Sequence, residues 1–309
     1  MSENKRLNQP MELFGHSIKI PIVEIPALKK ILNEDVKKPF KEYVCPHKAT
    51  YTDLFDDGKM GKFCDKIRKQ RPNPLIGNCS LKKYSVKENI NEKWIVCPHR
   101  FLENKTIFTD AKKFLNLDAC EDLVITKEVK IGKQGIADFM LSSLNKKGEV
   151  LDFVSIEVQA IGTSNTGDIW DARNDHIKGN LKNNYTFGIN KKMSSKTILV
   201  QMLHKSRELN LLQKKNVLVV QDNFWKHIKD TYEIVENFRP QNIEDPVHVH
   251  SYSLNENKGI LNIELVEKMS TDLNGLLNAI QPKHTQNLSF QDISNPIERR
   301  VKENKYDKL

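Results

Sequence analysis

The sequence predicts an α/β protein, a mixed central sheet flanked by helices, with an irregular four-cysteine metal-binding region ahead of it. Three observations carry that expectation. From about residue 109 onward, short runs rich in Val, Ile and Leu alternate with helical patterns, and strands separated by crossover helices build a layered sheet. Four of the five cysteines fall within one basic segment. The chain has 309 residues, 38% hydrophobic and 29% charged, with only 13 Gly and 12 Pro. That is enough to bury a sizeable core and too unbiased for a collagen-like, low-complexity or disordered chain.

Taken in order, residues 1–40 read as an N-terminal arm with a helical stretch at 25–32. Residues 41–108 are the cysteine region. It contains the turn signal Asp56-Asp57-Gly58 and the run Arg71-Pro72-Asn73-Pro74, whose prolines favour extended or turning backbone. Residues 109–309 read as the core. Thr109-Asp110 caps an amphipathic helix that ends near Leu117. Strands are expected at 122–131, 135–141 and 150–161, the last two forming a hairpin through Asn145-Lys146-Lys147-Gly148. A helix at 170–184, strands at 197–203 and 216–221, and a helix at 224–237 follow. From Lys283 the chain is polar and reads as a solvated or phosphate-contacting extension.

The net charge is +9, and residues 41–113 hold 13 Lys and 3 Arg against 9 acids, so most of the excess sits in the cysteine segment. Such a balance disfavours acidic, solvating roles and points to a polyanionic partner. No apolar run is long enough to span a membrane, which needs about 18 residues. Met1-Ser2-Glu3-Asn4-Lys5 leads into no apolar stretch, so no secretory signal and a cytoplasmic, thiol-reducing setting are expected.

In that setting five cysteines suggest a four-thiolate site at Cys45, Cys64, Cys79 and Cys97, with Cys120 apart. Two of the four open near-identical tetrapeptides, Cys45-Pro46-His47-Lys48 and Cys97-Pro98-His99-Arg100, an internal repeat of a knuckle. Proline after cysteine fixes φ and helps present a thiolate at a tight turn. The C-x-x-C pairs of an ordinary zinc ribbon are missing, and the competing reading is scattered reduced cysteines in an apolar interior. His47 and His99 could replace a cysteine as ligands, but with four thiols available the favoured reading is a ring satisfied by a turn carbonyl, by solvent or by DNA phosphate. His204, His227, His248 and His250 receive no role, since a His-x-His pair on a strand more often lines one face.

Alternation along a strand places Glu157 and Gln159 on one face and Ile156 and Val158 on the other. If the expected hairpin forms, Asp138 lies beside Glu157. Two adjacent carboxylates repel unless a cation sits between them, which makes the pair a hard-ion site suited to Mg²⁺. An Asp followed by Glu-x-polar on paired strands is the skeleton of the PD-(D/E)-x-K nuclease motif, with Gln159 in the lysine position. An amide there donates hydrogen bonds but adds no charge, so the metal must carry more of the work. The competing reading is a solvated strand edge, which is costly for a carboxylate in so apolar a run.

These segments resemble the NotI-like type II restriction endonucleases. The likeness rests on Glu128-Val129-Lys130-Ile131, Gly135-Ile136-Ala137-Asp138 and Ile156-Glu157-Val158-Gln159-Ala160-Ile161-Gly162-Thr163, behind the four-cysteine segment with its Cys-Pro-His knuckle. It covers residues 45–163, and the Glu-x-Gln variant is itself part of that family's pattern. The resemblance implies Mg²⁺-dependent cleavage of both strands of double-stranded DNA by a homodimer, at a short, GC-rich palindrome, leaving staggered 5′-phosphate ends. It also implies that Asp138 and Glu157 bind the metal, that Gln159 takes the lysine-replacing position and that Glu128, with Glu121 competing, is the accessory acid. The four cysteines match a structural site for iron or zinc, both of which tetrahedral thiolates accept.

Three other functions compete. A non-catalytic, metal-stapled DNA-binding protein would cut no DNA. A nuclease of different specificity would give smears rather than discrete fragments. A thiolate redox centre leaves the carboxylate pair unexplained.

Overall fold

The computed structural model describes residues 6–13, 16–19, 45, 47–48, 51, 77–85, 90–133, 135–164, 166–182, 185–257, 260–283, 289–303 and 305. Cys64, the stretch 25–32, Asp56-Asp57-Gly58 and Arg71-Pro72-Asn73-Pro74 lie outside the described residues.

The N-terminal part is more regular than expected. Strand β1 (Arg6–Leu13) carries the two-residue β2 (His16–Ser17) on one edge and pairs antiparallel with β3 (Asn78–Ser85), which pairs with β4 (Ile90–Ile95). Residues 6–13 of the arm are thus a strand of the sheet that holds Cys79. Leu81 and Trp94 face each other across β3 and β4 and are fully buried, a cross-strand apolar pair that fixes the register. A 3-10 segment (Pro98–Lys105), helix α1 (Thr106–Ala111) and a further 3-10 turn (Lys112–Phe114) lead out of it.

The large sheet comprises β5 (Asp122–Ile131), β6 (Gly135–Leu144), β7 (Val150–Gln159), β10 (Asn216–Gln221), β11 (Arg239–Pro240), β12 (Val247–Asn257) and β13 (Ile260–Thr271). Between β7 and β10 the chain makes β8 (Thr163–Ser164), α2 (Thr166–Ile177), β9 (Gly188–Ile189) and α3 (Lys191–Leu211). Helices α4 (Asp222–Thr231) and α5 (Ile234–Asn237) follow β10, and α6 (Leu273–Ala279) and α7 (Phe290–Lys302) follow β13. The spatial order is β11-β13-β12-β10-β7-β6-β5, with β10 parallel to both neighbours and the remaining pairs antiparallel, so the sheet is mixed as expected.

Every residue of β10 is buried, as its near-continuous apolar run requires of a central strand covered on both faces. On one face Leu218 and Val220 pack with Ile198, Leu199 and Met202 of α3 and with Trp225 of α4. On the other, Val217 and Val219 join Phe139, Ile156 and Val158 under Phe101, Ile107 and Phe108. Gln221 fastens the two sheets: its Nε2 donates to Lys93 O at 2.7 Å while its Oε1 accepts from the Ile95 N–H at 2.7 Å.

Four expectations are corrected. Thr109-Asp110 is no cap but lies inside α1, which begins at Thr106 and ends at Ala111. Residues 197–203 are the middle of α3, not a strand: Ser195, Ile198, Leu199, Met202, Lys205, Ser206 and Leu209 are its buried positions, a helical spacing, whereas Thr197 and Val200 are exposed. The helix expected at 170–184 is α2, which begins at Thr166 and ends at Ile177. The helix expected at 224–237 is two, α4 and α5, separated where Tyr232 turns extended.

Candidate active site

Strands β6 and β7 form the expected hairpin, closed at Asn145, whose carbonyl accepts from the Gly148 N–H at 2.9 Å. The ladder pairs Met140 with Ser155 and Phe139 with Ile156, and one step further the same register sets Asp138 opposite Glu157. There the side chain replaces the ladder: the Val158 N–H donates to Asp138 Oδ2 at 2.8 Å. Across the other edge of β6, Lys127 pairs with Phe139 and Val129 with Ala137, which puts Glu128 opposite Asp138. Glu121 lies at the far end of β5, its N–H donating to Leu144 O, away from the carboxylates. Three acids on three neighbouring strands therefore stand in one row.

Burial grades along that row. Glu128 and Asp138 are exposed at the opening, whereas Glu157 is 2% exposed. Burial pushes the Glu157 carboxyl up to about 7, the negative charge of Asp138 adds to that, and Lys205 opposes it. The carboxyl of Asp138 also sits above its ordinary value. The protein mass around its base is the largest cause and Glu128 a lesser one, against the Val158 N–H and the Lys205 charge. Of the two Glu157 oxygens, Oε2 accepts from Lys205 Nζ at 2.5 Å, and Oε1 is buried with no hydrogen-bond partner. An orphaned carboxylate oxygen beside a second carboxylate fits a hard divalent cation, which takes oxygen ligands. Among the described residues, no group of three or more His, Cys, Asp or Glu forms a ready-made metal cage.

Lys205 is the residue that sequence reasoning missed. It comes from α3, 48 positions after Glu157. A Cβ on Gly135 would meet Lys205 Cε at 2.9 Å and Cγ at 3.2 Å, so glycine at the start of β6 leaves the lysine shaft its path. The signal was a charged residue inside a buried helical stripe, legible only once 191–211 is read as helix.

Gln159, one turn of the pleat beyond Glu157, donates from Nε2 to Ala160 O. With Ala160, Gly162, Asn190 and Ser194 it lines an open cavity of about 400 Å³ at the N-terminal end of α3.

Of the cysteines, Cys45, Cys79 and Cys97 are buried. The two repeated tetrapeptides close the same turn, Lys48 N–H to Cys45 O at 2.9 Å and Arg100 N–H to Cys97 O at 3.1 Å. Cys79 O accepts from the N–H groups of Val96 and Cys97, which sets these two cysteines side by side across β3 and β4. Arg100 is not a surface cation. It is fully buried and ion-paired to Glu12 at 3.0 Å and Glu103 at 2.9 Å.

The histidines of β12 are core residues. Gln241 Nε2 lies 3.2 Å from His248 Nδ1 and 2.9 Å from His250 Nε2, and His248 Nε2 is 2.6 Å from Asp245 O. An amide donor to both rings makes His248 donate from Nε2 to that carbonyl, so both rings are neutral. Burial lowers their pKa values to about 4 and about 3.

A family model described as Restriction endonuclease NotI matches residues 45–243, more than half of the chain and including every strand of this row. No individual curated protein matches the chain.

Proposed function

Since the chain belongs to the NotI restriction endonuclease family, and so is a site-specific deoxyribonuclease of double-stranded DNA, we propose that Asp138 and Glu157 bind Mg²⁺ and carry the hydrolysis. The observation that supports this most is the register of β6 and β7, which stands the two carboxylates opposite one another with a Glu157 oxygen unpartnered.

In this reading the chain's own groups divide the work. The Val158 N–H fixes Asp138 through one oxygen and leaves the other for a ligand. Glu128, at the open end of the row, is the accessory acid that adds negative charge toward an incoming cation. Gln159 turns its amide from Ala160 O to orient the attacking water. The bound cation supplies Lewis acidity at the phosphoryl oxygen and eases deprotonation of a water. Water adds to phosphorus, the P–O3′ bond breaks, and a 5′-phosphate and a 3′-hydroxyl remain, the latter protonated from solvent. The reading extends to a cytoplasmic homodimer cutting both strands of a short, GC-rich palindrome. It also gives Cys45, Cys64, Cys79 and Cys97 a structural iron or zinc. The matching turns at Cys45 and Cys97 and the burial of Cys79 between strands support that assignment.

The test is digestion of a large defined DNA with Mg²⁺ and sequencing of the ends. Discrete fragments sharing one palindromic site and 5′-phosphates are expected. Smears would indicate a nuclease of different specificity, and intact DNA a binding protein. Elemental analysis of the purified protein identifies the thiolate metal.

A further inference from the structure

The lysine position of the β7 motif holds an amide, yet a lysine ammonium stands within 2.5 Å of the motif's glutamate. Its surroundings make this more than a surface pairing. The Lys205 side chain is 8% exposed and that of Glu157 3%, and α3 buries Met202, Ser206 and Leu209 around it. An isolated buried ion pair is often replaceable by apolar residues without loss of stability, so holding α3 to the sheet does not by itself account for this one. Gly135 supplies a second sign: a Cβ there would meet Lys205 Cε at 2.9 Å, so the start of the strand that bears Asp138 lies directly against this shaft.

We propose that Lys205 is a positioning residue of the active centre, supplying from α3 the fixed positive charge that Gln159 cannot supply from β7. It holds Glu157 by Oε2 and leaves Oε1 turned to the cation site. This rests on the Mg²⁺-nuclease reading and adds a second carrier to the work that the sequence assigned mostly to the metal.

The experiment compares Lys205→Met, Lys205→Arg, Gly135→Ala and Asp138→Asn in the full-length protein. The readouts are cleavage rate at saturating DNA, Mg²⁺ dependence, DNA binding in Ca²⁺, and thermal melting. For Lys205→Met the rate at saturating Mg²⁺ should fall on the order of 100-fold, comparable to removal of one preorganised electrostatic group. The Mg²⁺ concentration for half-maximal rate should rise, because Glu157 has lost the partner that holds Oε1 toward the cation site, while DNA binding in Ca²⁺ is kept. Lys205→Arg should recover much of the rate. Gly135→Ala, which keeps both charges but crowds the shaft, should fall between.

A merely structural lysine predicts lower melting with the parental rate and Mg²⁺ dependence when measured below the transition, which would overturn the proposal. Should Lys205→Met fail to fold, a Lys205→Gln variant with parental rate and Mg²⁺ dependence overturns it instead. Cleavage by Asp138→Asn would bring down the nuclease reading itself. An inert Asp138→Asn beside a fully active Lys205→Met would remove only the role of Lys205.

Discussion

Glu128 has a backbone φ of 56°, the left-handed region, and it is the one non-glycine residue in that region within the described strands. A side chain there costs roughly 1–2 kcal/mol, and such strain persists where the surrounding structure needs the side chain in place. The two roles separate in a pair of variants. Glu128→Gly should melt at or above the parent, and Glu128→Ala below Glu128→Gly by about 1 kcal/mol. Both should cut DNA more slowly if the acid serves the cation. Equal melting of the two would show that the strand relaxes without cost. Asp138→Asn keeps the acceptor for the Val158 N–H but removes the charge, so cleavage should vanish while DNA binding in Ca²⁺ and melting remain. Retained cleavage would rule out its assignment.

The hairpin of β6 and β7 was legible because alternation, a turn sequence and two acids at fixed offsets are all local signals. Helix α3 was not. Three of the four residues Thr197-Ile198-Leu199-Val200 are β-branched, and the helical periodicity emerges only over the full 21 residues, where a lysine interrupts the apolar stripe. The pairing of β1 with β3 joins Arg6 to Ser85, a separation that no local pattern reports. Strand β12 shows the same limit: His248-x-His250 reads equally as a ligand pair, and only the packing of Phe114 at 4.2 Å and the Gln241 bonds make it core. Its consequence concerns pH. In the unfolded chain these imidazoles titrate near 6.5, in the folded protein at about 4 and about 3. Their effect is nil above pH 6.5. As pH falls below it, the unfolded state gains protons that the folded state refuses, and stability drops by about 1.4 kcal/mol per pH unit per histidine until the folded values are reached. Melting at pH 7.5 and at pH 5 should differ less in His250→Gln than in the parent. An unchanged difference would assign the acid sensitivity elsewhere.

For the whole molecule, the +9 net charge and the basic segment around the cysteines favour a polyanion, but charge counted along a sequence is not charge available at a surface. Two basic residues of the knuckles, Lys48 and Arg100, are buried at 2% and 0% exposure. Arg100 ties β1, the 3-10 segment and β13 together, through Glu12, Glu103 and a 2.5 Å donation to Leu261 O. Its replacement and a change of salt should therefore read out differently. DNA affinity of the parent should fall linearly in log–log form with salt, with a slope of about −0.9 per phosphate neutralised. Arg100→Met strands the Glu12 carboxylate, which burial already pushes upward, and should cost about 3–5 kcal/mol of stability. Measured below its melting transition, the variant should keep the parental salt slope, because the lost charge never faced solvent. A slope reduced by about one unit would instead make Arg100 a phosphate contact, and the duplicated knuckle part of the DNA interface rather than a brace between the two sheets.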